Sequence, residues 1–544
     1  GEESFAGMRP PYRLVEPFAN HGGYLSVNYQ GGSVPMMQLK WAYLNGAAPF
    51  ASGSEVTGAD VLYKISASGS TTGGGRDDSC GYYLDQGYSV LGSVTTSSGL
   101  YSFTSSTQTP LSNNNYYNYQ FAVCAYGMKN GQKVYIGEPI ASSCTGGCGA
   151  LEHYGWGTQS LTLAGGGAEA NMGLHYARAT AVDAATSEYY TVLSLSSNGI
   201  PEEFTAGDVG SEILLTVLGT GASDDCGTWQ GQAIQPGLKA FVRAFDATST
   251  SMKINKGTFA DVLSNTYLWQ DTSTSNFCFV QATKVLHYRS LTLTGSIWPS
   301  ALNYAGGGGG ILPLRVASEL NISGGVSISV AATGYPSGSA GYAGAGHRGD
   351  SAISVVSGNS GGAYSSFGSG GGAGPTADGG VGFGALTLPD AGAGGMAPIG
   401  SNSGGGDFMA LPGGGGGGAG GTGGGILFVA ARYTNASSGS ALNAFGNMGA
   451  SGNYGGGGGG SIVLVGERLT GPLNFDASGA AATGGTTGAG GGGGGLITKY
   501  ICTDSGTGSS FVNGGVGPVA ANTTYGAKNG QIFTPSGGWN PGCR

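Results

Sequence analysis

The pattern of apolar positions changes character near residue 286. Before it, apolar and polar residues alternate in short runs. Tyr24-Leu25-Ser26-Val27-Asn28-Tyr29, the stretch Met37 to Leu44 and the stretch Ala59 to Ile65 are each bounded by Gly, Ser or Asn, as half-buried strands require. Tyr119 to Tyr126, the turn Lys129-Asn130-Gly131-Gln132 and Lys133 to Ile136 predict a hairpin, because Asn-Gly supplies the positive φ of a tight two-residue turn. A second set of strands is predicted at Tyr189 to Leu193, Glu212 to Leu218 and Lys239 to Phe245.

After residue 286 the apolar residues become consecutive, and glycine runs precede them. Gly455 to Gly460 leads into Ser461-Ile462-Val463-Leu464-Val465, a strand whose two faces both need cover. Leu469, Leu473 and Phe475 follow at spacings of four and two residues, then a small-residue turn, and the glycines return at Gly490 to Gly495 before Leu496. Glycine runs also precede Ile311 and Ile426. The last steps are 36 (462 minus 426) and 34 (496 minus 462) residues, a spacing typical of stacked repeats. A long insertion, residues 334–411, interrupts the series.

The expected fold class is therefore all-β: two N-terminal β-sandwich domains followed by a glycine-rich β-solenoid, parallel β-helix-like with poly-Gly II layers. The expected divisions are an extended arm at 1–23, a sandwich at 24–150, a second sandwich at 151–285 and the solenoid at 286–544. The arm carries Pro10, Pro11, Leu14, Val15 and Phe18, and docks either on its own domain or on a neighbouring subunit.

Composition sharpens this picture. Of 544 residues 114 are glycine, 9% are charged and 39% are hydrophobic, a balance unlike that of a charged disordered tail. Flexible linkers pair Gly with Ser and avoid apolar residues, whereas these glycine runs abut apolar strands. Glycine costs roughly 0.5 to 1 kcal/mol of extra backbone entropy per residue, so long runs need hydrogen bonds and strand burial in return. Lateral packing of poly-Gly helices supplies that; glycine loops hung on a β-helix are the alternative. The formal net charge of -9, with no basic stripe, argues against nucleic acid as a partner. No unbroken apolar run reaches about 18 residues, so no membrane span is expected.

The chain begins at Gly1, and a processed, secreted, extracellular or cell-surface protein is expected. The eight cysteines fit an oxidising compartment, and the grouping favours Cys80 with Cys124, Cys144 with Cys148, Cys226 with Cys278, and Cys502 with Cys543. Eight cysteines allow on the order of a hundred connectivities, and reduced buried thiols are the other reading.

Little in the chain carries chemistry. The acids Asp350, Asp378, Asp390, Asp407, Asp476 and Asp504 share no register with the repeats, the five histidines form no His-x-x-x-His pair, and the glycine runs lack Gly-Lys-Ser/Thr. Asp77-Asp78 and Asp224-Asp225 read as capped turns before calcium ligands, since no spaced series of acids follows either. Arg348-Gly349-Asp350 is a short tripeptide that recurs by chance. No cofactor, metal or catalytic residue is expected. Asn113, Asn114, Tyr116 and Tyr117 form a candidate binding loop.

Two resemblances bear on function. Residues 23–148, with Trp41 on an early strand and a Tyr-rich hairpin late, resemble a fibronectin type III sandwich. Residues 286–500 carry Gly-Ile-Leu-x-Leu-Arg-Val at 310–316, Leu-x-Ile-Ser-Gly-Gly-x-x-Ile at 320–328, Ala-Thr-Gly-Tyr at 332–335 and Gly-Asp-Phe-Met-Ala-Leu-Pro at 406–412. This order resembles glycine-rich bacterial cell-surface proteins, and the glycine runs are similar in kind to those of poly-Gly phage tail-fibre adhesins. The resemblance implies a secreted β-solenoid and little chemistry. Expected partners are copies of the chain itself or surface glycans: a self-assembling filament subunit, or alternatively a monomeric or trimeric adhesin, or a carbohydrate-active β-helix enzyme.

Overall fold

The computed structural model describes residues 12–13, 23–30, 36–43, 57–65, 80, 84, 87–95, 101–104, 119–136, 140–142, 154, 157–183, 190–196, 202–221, 228–229, 232–233, 239–255, 276–302, 308–334, 421–448, 456–481, 491–516 and 529–534. The fold is all-β, with both antiparallel and parallel sheets.

The N-terminal strands form two sheets. Gly23–Gln30, Met36–Tyr43 and Tyr101–Thr104 make a three-stranded antiparallel sheet. Gly58–Ile65, Ser89–Val94, Tyr119–Lys129, Gln132–Ile136 and Ile140–Ser142 make most of a six-stranded one. The Phe103 ring of the first sheet packs against Gly92 of the second, where a side chain would collide with it. The hairpin forms where its turn chemistry places it, with Lys129 opposite Gln132, and with Asn130 (φ 53°) and Gly131 (φ 76°) both left-handed. From the arm, Tyr12–Arg13 pairs in parallel with Tyr135 and Ile136 of the same chain. Pro10, Pro11, Leu14, Val15 and Phe18 lie outside the described residues, as do Asn113, Asn114, Tyr116 and Tyr117.

The sequence pattern points to a second sandwich next, but the strands of this region close into a barrel. Its order is Tyr176–Asp183, Tyr190–Leu195, Ser251–Asn255, Lys239–Ala247, Glu212–Gly221 and Asn276–Lys284, all antiparallel. The ladders of the barrel carry two register shifts, between Ala179 and Ala181 and between Ala244 and Asp246, the kind of irregularity that lets a sheet curve. Leu193, Phe204, Ile213, Leu215, Met252 and Val280 fill the interior.

The remainder is a parallel stack of levels, each with a strand in an eight-stranded sheet and a shorter one in a six-stranded sheet. It begins at Ser160–Leu163 and Gly166–Gly167, which pair in parallel with Ser290–Leu293 and Ile297–Trp298. The expected start near residue 286 is thus the second level, and the barrel is inserted between the first two. Later levels are Ile311–Ile322 with Ser327–Ser329, Ile426–Ala436 with Ala441–Asn443, Ser461–Gly471 with Asn474–Asp476, and Leu496–Gly506 with Ser510–Phe511, ending at Gln531–Phe533. The register is regular: Ile426 pairs with Ser461, Ser461 with Leu496 and Leu496 with Gln531, so each step is 35 residues (461 minus 426, 496 minus 461, 531 minus 496). The steps of 36 and 34 read from the apolar pattern differ because buried Ser461 occupies a strand position that Ile and Leu hold elsewhere. The long insertion leaves and returns at one place, where Gly334 N–H donates to Gly423 O at 2.8 Å.

Candidate functional site: a glycine wall and buried charge networks

Each level presents the same positions inward. Leu312, Leu427, Ile462 and Ile497 form one ladder, and Ile328, Leu442 and Phe475 another, all in one continuous core. The opposite face is buried as well: Ile311, Ile426, Ser461 and Leu496 in one ladder, Phe428, Val463 and Thr498 in the next. Both faces of these strands are covered, as their consecutive apolar residues require.

The glycine runs form a third wall. Gly424 N–H donates to Gly458 O and Gly459 N–H to Gly493 O, both at 2.8 Å, joining each run to the one a level below. Sideways, Gly425 donates to Val330 O, Gly460 to Ala444 O, Gly495 to Ala477 O and Gly530 to Val512 O, at 2.6 to 2.8 Å. The same lateral bond recurs level after level, so the runs are hydrogen-bonded in two directions without belonging to strands. They are also buried. Close approach explains the residue type: a Cβ on Gly424, Gly459 or Gly495 would overlap the backbone carbonyls of Ala444, Ala477 or Gly460. Those three glycines do not have left-handed φ, so absence of a side chain, and not a special dihedral, is what the wall uses.

One inward position breaks the pattern. Leu314, Val429 and Leu464 are followed in register by Lys499, whose Nζ lies 4.0 Å from the centroid of the Phe475 ring. Burial lowers the Lys499 pKa, partly opposed by Asp504. Outside the core, Tyr433 is flanked by Arg432 (5.2 Å) and Arg468 (4.8 Å), and Arg432 Nε reaches Glu467 of the next level at 2.8 Å. An Asn435–Asn321 bond and a Thr470–Asn435 bond, both 2.8 Å, add a polar ladder.

Three buried carboxylates anchor networks elsewhere. Asp208, fully buried, meets His175 Nδ1 and Lys284 Nζ at 2.8 Å and accepts from Thr205 N–H at 2.8 Å. Burial pushes its carboxyl up, but the hydrogen bonds from His175, Lys284 and Thr205 prevail and hold it at about 2. Glu212, at the start of a barrel strand, meets fully buried Arg315 of the stack at 2.8 Å and His287 at 3.2 Å. With the reciprocal 3.2 Å bonds between the Gln281 side chain and the Gly309 backbone, this pair fixes the barrel to the stack. Asp60 of the N-terminal sheet meets Lys133, Tyr135 and Ser93. Burial, and then the bond to Asp60, push the Tyr135 phenol well above its ordinary range.

None of these groups stands out by motif in the sequence; the available signal is a lone charge inside an apolar run, as in Ala59-Asp60-Val61 or Leu314-Arg315-Val316. Cys80 and Cys124 are joined, with Cα atoms 5.9 Å apart, as their grouping favours. Cys502 is also in a disulfide. Cys144, Cys148, Cys226 and Cys543 lie outside the described residues, as do Asp77-Asp78, Asp224-Asp225 and Arg348-Gly349-Asp350, and Cys278 sits on a strand whose side chain at that position is not described. Among the described residues no helix is long and apolar enough to cross a membrane, and no three His, Cys, Asp or Glu gather as metal ligands. No protein-family model, curated protein or solved structure matches this chain.

Proposed function

We propose that this chain is a secreted, non-enzymatic structural or adhesive protein of the cell surface, a self-assembling subunit of an extracellular filament. In this reading the N-terminal sheets form a sandwich, and a β-solenoid walled by poly-Gly II layers is the rigid body. Strand or arm exchange and disulfides hold copies together. The observation that carries it is the constant 35-residue register of the parallel levels. A parallel stack grows by adding strands of one polarity, so its two end strands among the described residues, Ser160–Leu163 and Gln531–Phe533, are suited to head-to-tail addition. Buried glycine and few charges serve a load-bearing rod better than they serve proton-transfer chemistry.

A second reading, a monomeric or trimeric adhesin that binds surface glycans, is favoured by Lys499. A charge at an inward position of the last full level works against continuing the core into another copy. Electron microscopy with size-exclusion chromatography of the native protein separates the two. Regular fibres with one chain per repeat support the filament. Discrete monomers or short trimers reject it in favour of the adhesin, and a glycan array then supplies the ligand class.

A further inference from the structure

The six-stranded N-terminal sheet carries a lysine and an aspartate that the proposed function does not use. Asp60 lies on Gly58–Ile65 and Lys133 on Gln132–Ile136, with Tyr119–Lys129 running between them. Asp60 is opposite Cys124, and Tyr126 is opposite Tyr135, which places these side chains and Lys133 on one face of the sheet. Lys133 crosses the intervening strand over the Tyr126 ring, with Nζ 4.2 Å from its centroid. It ends 2.9 Å from Asp60 Oδ1 and 3.0 Å from Oδ2. Tyr135 donates to Oδ2 at 2.7 Å and Ser93 to Oδ1 at 2.5 Å.

Only 1% of Asp60 is exposed. Passing one proton across the 2.9 Å contact, from the Lys133 amine to the Asp60 carboxylate, is the step that turns the pair into a nucleophile and an acyl donor. Fixed contact of this kind raises effective concentration by about five to eight orders of magnitude over free solutes.

We propose that Lys133 and Asp60 condense to an intramolecular amide. The Nζ lone pair adds to Asp60 Cγ, and the carbonyl electron pair moves onto an oxygen held by the Tyr135 or Ser93 hydroxyl. A proton from Nζ passes to the other oxygen, the C–O bond breaks and one water leaves. No group is oxidised or reduced and no co-reactant is needed. The Lys133 side chain is 33% exposed, which opens a path for that water. The bond ties the first and third of three adjacent strands, on the face that also carries the Cys80–Cys124 disulfide, and unlike the disulfide it survives reduction. It stands whether or not the chain assembles.

The test is intact-mass spectrometry of the full chain after complete reduction, with a proteolytic digest of the same sample. The expected mass is one water below the sequence mass, with a branched peptide joining the Asp60 segment to the Lys133 segment. Lys133→Arg, which keeps the ion pair, and Asp60→Ala are each expected at their full sequence mass with no branched peptide. A reduced wild-type chain at its full mass, or a lost water without the branched peptide, overturns the proposal. Wild type alone decides the matter if either variant fails to fold.

Discussion

The barrel and the stack solve the same problem in opposite ways. The barrel removes its sheet edges by closing, with every strand paired on both sides, so its stability depends on all of its strands at once. Among the described residues the stack has two end strands that do not pair with each other and it repeats one level, so each level depends mainly on its neighbours. Its core is equally buried, but one of its walls is backbone, where glycine lets chains approach closer than any side chain allows. What the barrel achieves with bulges and buried ion pairs, the stack achieves with register.

Removing whole elements exposes this difference most sharply. Excising residues 461–495, one 35-residue level, joins Gly460 to Leu496 and restores a junction like the one that precedes Ser461. The expected product is a folded chain with a β-sheet circular dichroism spectrum and cooperative melting. Excising 239–255, two barrel strands, is expected to abolish folding of the barrel, seen as loss of dispersed amide resonances from 176–284. Equal tolerance of both deletions breaks the comparison.

Point changes probe the wall itself. Gly459→Ala drives a methyl into the Ala477 carbonyl and is expected to cost about 3 kcal/mol by chemical denaturation. Gly325→Ala, where φ is 72° and the added carbon meets nothing, is expected to cost only about 1 kcal/mol, from backbone strain alone. Similar losses at the two sites remove close packing as the reason for glycine in the wall.

Acid sharpens the contrast from the barrel side. The folded Asp208 carboxyl, at about 2, lies below its ordinary value of 3.8, so its stabilisation is present above pH 3.8 and is lost as pH falls toward 2. About 2 kcal/mol of barrel stability is expected to disappear in that window. Asp208→Asn is expected to flatten this pH dependence in melting experiments. A small effect of the opposite sign is expected at Lys499→Leu, which restores the inward pattern and should raise stability by about 1 kcal/mol. A lower melting temperature instead gives the lysine a structural partner role at that end.

Strand positions were legible wherever one rule governed them. Consecutive apolar residues at Ile462 to Val465 announced a strand covered on both faces, and Asn130-Gly131 announced its hairpin. The true period was hidden because Ser461 is buried through backbone register, which hydrophobicity does not record. Barrel closure was hidden for a related reason: alternation along Glu212 to Leu218 is the same in a sandwich and a barrel, and only the pairing of Tyr176–Asp183 with Asn276–Lys284 closes the ring. Ser160-Leu161-Thr162-Leu163 pairs with Ser290-Leu291-Thr292-Leu293, an identical tetrapeptide separated by the whole barrel. That repeat was the one readable sign of the insertion. The charge networks of Asp60, Asp208 and Glu212 join residues far apart in sequence, and no local pattern brings such partners together.

Hydrogen exchange at the glycine amides tests the central claim most directly, since it asks whether these runs are packed wall or loose loop. If residues 456–460 and 491–495 form the wall, the amides of Gly459, Gly460 and Gly495 exchange as slowly as those of the neighbouring strands, over about hours. Exchange of those amides at the rate of an unstructured peptide, beside protected strands, contradicts it.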